Sequence, residues 1–323
     1  MNELLEPFVR MLENIAAPAA VRAVEQGGSA DAMWAEIASS GFLDALVSDE
    51  QGGAGLSLAE VEPIFGALGA HAVPLPVGET MIARALLAHA GVAAPDGPIA
   101  LATSAASGQV VPCGLVADHV LLDRGDAITL LAAADLQIAP LGIHGALAAR
   151  ISWQDALSGA VLPRPADGLR PVAAALRAAL IAGCAAQLCT MTSNYANERV
   201  QFGKPIGRQQ ALQQNLAVMA EDMIAARIAA QLGCAGGLDI SLAAAATAKA
   251  TTSGIVPRFA ATAHAVHGAI GVAEEYDLQL LTRRLHEWRL ADGSEGYWNE
   301  LLGAKRLESD ASTLDWVRAE VFA

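Results

Sequence analysis

The densest group of residues able to hold a charged ligand lies within positions 198–207. Arg199 stands where a long helical pattern ends, beside a turn that Gly203 and Pro205 make rigid, and a guanidinium in that place can bind a phosphate group. Phe202, in the same turn, can lie against a flat ring system. The alternative is an ordinary helix–turn–helix corner in which Arg199 caps a helix.

The elements that must position these residues fall into three zones. Residues 1–95 alternate helical periods with short Gly/Pro breaks, residues 96–166 are short apolar runs between turns, and helical periodicity returns over 167–323. The middle zone predicts five or six strands, with a hairpin turn at 124–126. We therefore predict a mainly α fold with a small β-domain.

Two local patterns sharpen this prediction. Ser57 and Glu60 form a capping box at the start of one helix. A helix that runs to about Val200 is almost uncharged after Arg177, which predicts a central position in a bundle. Its polar residues indicate a buried helix rather than a membrane span.

Composition excludes several classes of protein. The 323 residues carry 20 Lys+Arg against 34 Asp+Glu, a net charge of −14, which disfavours binding to nucleic acid. Charged residues are only 17% and hydrophobic ones 54%, so a largely disordered chain is excluded. The four cysteines have no zinc spacing, so we predict no metal. The four cysteines are consistent with a reducing cytoplasm. The N-terminus lacks a secretory signal pattern.

The stretch from Glu198 to Met219 resembles the flavin-binding signature of acyl-CoA dehydrogenases, E-R-x-Q-F-G-x-P-I-G-x-x-Q…L-A-x-M. The segments that begin at Trp34 and Ser48 are similar to that family's W-x-x-L-x-x-x-G-x-L and P-E-x-x-G-G-x-G-L-S patterns. The resemblance therefore spans nearly the whole chain.

A second stretch, residues 265–284, is similar to the family's Q-x-H/F-G-G-x-G pattern. Gly268 and Gly271 match, whereas Ala269 and Ala265 replace a Gly and a Gln. Small residues here let the backbone approach a flavin pyrophosphate, although H-G-A-I-G alone is also typical of a helix C-cap and turn.

The resemblance implies an N-terminal helical domain (1–95), a shortened middle β-barrel-like domain (96–166) and a C-terminal four-helix bundle (167–323). It implies FAD shared between subunits, an acyl-CoA substrate and an electron-transfer flavoprotein as electron acceptor. The FAD contacts that it implies are Arg199, Gln201, Phe202, Gln210, His267, Gly268, Ala269 and Gly271.

The resemblance also implies a catalytic base. Counting from the second stretch puts Asp292 at the position of the family's catalytic Glu, with Gly293 and Ser294 after it. Asp is one methylene shorter than Glu, and the alternative role for Asp292 is N-cap of the following helix. Glu295 is a second candidate, and Ala173 and Ala174 leave no carboxylate at the family's other base position.

The middle zone lacks a T-E-P-x-x-G-S-D-like segment, and in this the chain resembles short subunits of heteromeric steroid-side-chain acyl-CoA dehydrogenases. Either a homo-oligomer or a heteromer with a longer subunit is expected. Two alternatives to an active dehydrogenase stay open: a flavin-binding subunit without its own base, and a non-enzymatic helical assembly protein that lost FAD. The charged cluster of Arg283, Arg284, His286, Glu287 and Arg289 is predicted to be a solvated or subunit-facing surface rather than an active site.

Overall fold

The computed structural model describes residues 4–154 and 158–322. The first part of the fold is helical because its apolar residues recur every three or four positions. In the first helix, for example, Phe8 and Leu12 form the buried face. The helices before the first strand are α1 (Leu5–Ile15), α2 (Pro18–Glu25), α3 (Asp31–Ser39), α4 (Leu58–Ala70) and α5 (Val77–His89).

The predicted capping box begins α4. Ser57 Oγ accepts a hydrogen bond from the Glu60 backbone N–H, while the Glu60 carboxylate accepts one from the Ser57 N–H at 2.9 Å. Two N–H groups that the helix cannot satisfy are paired in this way. The start of α4 is therefore determined locally.

The middle of the chain forms two sheets among the described residues. The strands are β1 (Ile99–Ala102), β2 (Gln109–Val111), β3 (His119–Asp123), β4 (Ile128–Ala132), β5 (Gln137–Pro140), β6 (Ala149–Ser152) and β7 (Ala160–Leu162). The first sheet has the order β1-β3-β4-β7, with β1 parallel to β3 and the other pairs antiparallel, and the second has the antiparallel order β2-β6-β5.

Five of these seven strands coincide with the predicted apolar runs, and the hairpin between β3 and β4 turns at Gly125 with φ +91°. β2 and β7 were not predicted. Each is three residues long, so its pattern is too short to detect, and it forms because a neighbouring strand supplies its hydrogen bonds.

The rest of the described chain is a helical bundle with one short hairpin. Its elements are α6 (Arg170–Glu198), β8 (Val200–Gln201), β9 (Lys204–Pro205), α7 (Gln210–Gly233), α8 (Leu242–His267), α9 (Leu278–Leu290), α10 (Glu295–Leu307) and α11 (Thr313–Glu320).

α6 is the central helix of the bundle. It is long and apolar enough to cross a membrane, but 83% of its most apolar window is buried inside the fold. It crosses α4 very closely, because a Cβ on Gly183 would stand 1.8 Å from the Gly66 carbonyl oxygen. Glycine at this crossing lets the two backbones touch, as expected for a core helix.

Candidate active site

Asp292 lies in the turn that joins α9 to α10. Its φ is +57° and that of Gly293 is +107°, so two consecutive residues adopt the left-handed conformation. Asp tolerates this conformation better than most residues, and Gly adopts it freely. A Cβ on Gly293 would come within 2.6 Å of the Tyr297 ring. The Asp-Gly sequence thus makes a turn that directs the Asp292 side chain inward.

The Asp292 carboxylate is buried and both of its oxygens are engaged. Oδ1 accepts a hydrogen bond from Thr103 Oγ1 at 3.0 Å, and Oδ2 accepts one from Arg177 Nε at 3.0 Å. The side chain is 4% exposed. The alternative role as N-cap of α10 is wrong, because Ser294 holds the N-cap position and the Asp292 carboxylate bonds elsewhere.

Arg177 is shared by two carboxylates. Its Nη1 donates to Glu79 Oε1 at 2.6 Å, and the side chains of Arg177 and Glu79 are 1% and 4% exposed. Burial disfavours the charged guanidinium, but Glu79 and Asp292 keep the pKa of Arg177 above its ordinary value. The sequence offered a signal for this group, since Arg177 is a charge that interrupts an otherwise apolar stretch of α6, but no partner could be assigned to it.

Lys249 lies on the other side of the Asp292 turn. It is fully buried in α8, and its Nζ donates to the carbonyl oxygens of Arg289 and Gly293, each at 2.9 Å. Sequence reasoning missed Lys249. Its one signal is a single cation within a run of Ala and Thr residues.

The second candidate base, Glu295, is held at the start of α10. Arg289 Nε donates to both of its carboxylate oxygens at 3.1 Å. Hydrogen bonding from Arg289 lowers the pKa of Glu295, so the residue favours its ionised form. Glu295 thus completes an ion pair across the turn.

A cavity of about 760 Å³ lies between the second sheet and α9. Its wall is mostly apolar, and Asp292 closes one part of it. Its lining residues are Val110, Pro112, Leu141, Ile143, His144, Ala146, Ala148, His264, Thr282, Arg283, His286, Glu287, Leu290, Ala291 and Asp292. Apolar walls with a few polar groups are typical of sites that bind small molecules.

The Arg199 motif forms the far end of α6 and the β8–β9 hairpin. Phe202 and Gly203, at the tip, have φ values of +52° and +78°, and the Phe202 side chain is 92% exposed. Arg199 is also exposed, and its side chain has no hydrogen-bond partner among the described residues. Gln201 lies exposed on β8, and Gln210 is the exposed first residue of α7. The hairpin therefore projects an aromatic ring and a cation away from its own chain.

The second motif meets the first at the end of α8. Val266 packs with Ala196 and Ile206, and the Tyr195 hydroxyl donates to the His267 carbonyl oxygen at 3.3 Å. The structure thus brings together two motifs that are more than 60 positions apart in sequence.

His267 itself is buried and stacked on Tyr195, with ring centroids 4.4 Å apart. Its Nδ1 donates to the Ala263 carbonyl oxygen at 2.8 Å, while its buried Nε2 has no partner among the described residues. Burial lowers the pKa of His267, so the ring is neutral at neutral pH. Next to it, Gly268 (φ +62°) and Ala269 are exposed and Gly271 is buried.

Asp292 and Arg199 do not meet within one chain. Arg177, which binds Asp292, precedes Arg199 by 22 positions on α6. At 1.5 Å per residue, the two arginines are ~33 Å apart along the helix axis.

The prediction that the charged cluster on α9 forms a surface is wrong for Arg284. Its side chain is 3% exposed, and its nitrogens lie 2.9 Å from Glu25 Oε1 and 2.7 Å from Glu287 Oε2. Arg283 pairs with Glu25 as well. Glu25, the last residue of α2, thus lies against this face of α9, and sequence alone does not indicate this pairing.

The chain is similar to known proteins over most of its length. The profile of the acyl-CoA dehydrogenase C-terminal domain matches residues 171–307. Acyl-CoA dehydrogenase IpdE2 of Mycobacterium tuberculosis is 30% identical over 296 residues, which cover 88% of this chain and 90% of that protein.

Two solved structures have the same fold. The ChsE4–ChsE5 complex from Mycobacterium tuberculosis matches with a TM-score of 0.84 at 21% identity, covering 96% of this chain and 97% of that one. A variant of the Tcur3481–Tcur3483 steroid ACAD matches with a TM-score of 0.82 at 24% identity, covering 96% and 98%. From its motifs, its fold and this similarity, the chain belongs to the acyl-CoA dehydrogenase family, oxidoreductases that act on CH–CH groups.

Proposed function

We propose that the chain is a subunit of an FAD-dependent dehydrogenase that forms the α,β double bond of an acyl-CoA thioester. The observation that carries the proposal is the apolar cavity of about 760 Å³ with the Asp292 carboxylate in its wall. Removing an α-proton needs a carboxylate beside the α-carbon in a site from which water is kept out. The mostly apolar cavity with Asp292 in its wall supports such a site.

The predicted flavin residues fit a bound dinucleotide. Arg199 is an unpaired, exposed cation, Phe202 is an exposed ring, and His267 Nε2 is a buried atom without a partner among the described residues. When bound, the flavin accepts the hydride that leaves the β-carbon. The residues that we assign to FAD are Arg199, Gln201, Phe202, Gln210, His267, Gly268, Ala269 and Gly271.

In this proposal Asp292 accepts the α-proton at a carboxylate oxygen. Thr103 and Arg177 hold the carboxylate in one orientation, so no rotamer search precedes the proton transfer. Ile143 and Leu290 of the cavity wall are each 64% exposed and supply apolar surface that a bound acyl group would cover.

The ~33 Å that separates Arg177 from Arg199 supports a flavin site completed by a second chain. Arg199 of one subunit would hold the cofactor whose reacting ring lies in the cavity of another. The ChsE4–ChsE5 structure is a complex of two differently named chains, which supports a heteromer with a longer subunit over a homo-oligomer. We propose an electron-transfer flavoprotein as acceptor and a fatty or steroid acyl-CoA as substrate, the latter because one similar structure is a steroid ACAD.

We also propose the division at 1–95, 96–166 and 167–323 and a cytoplasmic location. The strands β1–β7 all lie within the middle range, which supports the division. All four cysteines are unpaired and buried, which supports a reducing compartment.

One observation favours a second candidate, in which the partner chain supplies the base. Both Asp292 oxygens already accept hydrogen bonds, one of them from a fully buried guanidinium. A carboxylate held in this way could serve only to pair with the buried Arg177 and stabilise the fold, without acting as the base. In that case this chain is the flavin-holding half of the enzyme.

Asp292→Asn separates the two candidates, assayed with the partner subunit present. The amide keeps an oxygen that can accept from Arg177, so folding and flavin binding should persist while desaturation is abolished. Glu295→Gln is the matched control and should keep its activity. Wild-type turnover by Asp292→Asn would assign the base to the partner chain, and an assembled complex without a flavin absorption spectrum would contradict both candidates.

A further inference from the structure

Lys249 is a buried amine whose polar contacts are all satisfied. It is 0% exposed, and burying an ammonium group is costly unless its donors find acceptors. Its Nζ lies 2.8 Å from Ser253 Oγ and 2.9 Å from the carbonyl oxygens of Arg289 and Gly293. An ammonium has three N–H donors, so every one of them is used.

Two of these acceptors lie on either side of Asp292. Arg289 is in the last turn of α9, where carbonyl groups have no partner within the helix. Gly293 directly follows Asp292, and both adopt the left-handed conformation. A turn with two such residues persists only when surrounding contacts hold it. Lys249 provides a contact on each side of it.

The contacts suit either protonation state of Lys249. Burial lowers the pKa of Lys249 to about 7, against the attraction of Asp292. As a neutral amine it can donate to the two carbonyl oxygens and accept from the Ser253 hydroxyl. The charged groups around it are Asp292 in the turn, Arg177 on α6, Arg289 on α9 and Glu295 on α10.

We infer that Lys249 is a positioning residue. By joining the Arg289 and Gly293 carbonyls it holds the turn closed and sets where the Asp292 carboxylate stands in the cavity wall. The effect on the turn follows from the contacts alone, whereas its consequence for the reaction rate rests on the proposed function.

The direct test is hydrogen exchange of the peptide covering residues 290–294 in the assembled complex. Lys249→Met keeps the apolar stem but removes every donor. Amide exchange in residues 290–294 should therefore be at least ~10-fold faster, because the turn loses the hydrogen bonds that hold it closed. Lys249→Arg keeps a donor group and should rescue part of the protection. Lys305→Met, on α10, is the control and should leave the turn unchanged. Unchanged exchange in a folded Lys249→Met would overturn the inference.

Wild-type protein provides a test that needs no variant. When the turn opens, Lys249 reaches water and regains its ordinary pKa, so low pH favours the open turn. Protection of residues 290–294, corrected for intrinsic exchange, should therefore rise as pH increases through about 7. Protection that stays constant with pH would contradict the inference even if Lys249→Met does not fold.

Kinetics connect the turn to the reaction. Displacing a catalytic group by about 1 Å can cost ~100-fold in rate, so Lys249→Met should lose kcat on this scale while KM changes little. Because low pH favours the open turn, wild-type kcat should rise with pH near 7, and Lys249→Met should lack this rise. If Asp292→Asn is fully active, the proposed base is wrong, and the exchange experiment still decides the role of Lys249.

Discussion

Replacing Arg177 with Met should be among the most damaging single substitutions in this chain. Arg177 is bonded to Glu79 and Asp292, and all three side chains are at most 4% exposed. The substitution leaves two carboxylates buried without their cation. Removing one partner from a buried ion pair typically costs about 3–5 kcal/mol. Since solvent does not screen this group, we expect Arg177→Met to lower the free energy of unfolding by about 3–5 kcal/mol.

The size of this loss can be separated from the loss of side-chain packing. The triple variant Arg177→Met, Glu79→Gln, Asp292→Asn has the same apolar stem but no buried charge. Neutral replacements for a whole buried ion cluster are often tolerated, so the triple variant should recover most of the lost stability. Arg10→Met is a matched control, because the Arg10–Glu6 pair is 71% and 68% exposed. Exposed pairs contribute little.

Urea unfolding at fixed protein concentration measures these differences, provided that the slopes of the transitions agree. The expected order of stability is wild type and Arg10→Met highest, the triple variant next and Arg177→Met lowest. If the free energy of unfolding of Arg177→Met is within about 1 kcal/mol of the wild-type value, the buried ion pairs of Arg177 do not stabilise the fold as their geometry indicates. A triple variant no more stable than the single one would refute the charge argument and leave packing as the cause.

Two further predictions concern the flavin motif and the helix crossing. Arg199→Ala should fold normally but bind FAD ~10- to 150-fold more weakly, because a charge-assisted contact contributes ~1.5–3 kcal/mol; a flavin titration measures this, and full occupancy at low FAD concentration would exclude the assignment. Gly183→Ala should destabilise the fold by at least ~1–3 kcal/mol, because its Cβ would lie 1.8 Å from the Gly66 carbonyl oxygen. Gly303→Ala, at an open position of α10 with nothing within 4 Å, should instead stabilise the chain by ~0.5–1 kcal/mol, and equal thermal shifts for the two would contradict the close crossing.

The sequence by itself determined the features that depend on near neighbours. Ser57 and Glu60 lie three positions apart, so their capping box could be predicted and is confirmed. The central helix was predicted to end at about Val200, and it ends at Glu198, because small or apolar residues of its buried face recur at helical spacing as far as Ala196. The small β-domain and its hairpin at Gly125 were also visible, since turn chemistry and alternating apolar runs act over a few residues.

Tertiary structure decided what surrounds Asp292. Its position in the turn came from the family resemblance, but the partners of its carboxylate, Arg177 and Thr103, are 115 and 189 positions away. No local pattern encodes such pairs. The buried contacts of Lys249 have the same cause, as do those of Arg284, whose partner Glu25 lies on another helix. An exposed charged residue and a buried one look alike in a sequence. Only the packing of distant elements determines which of them is shielded from solvent.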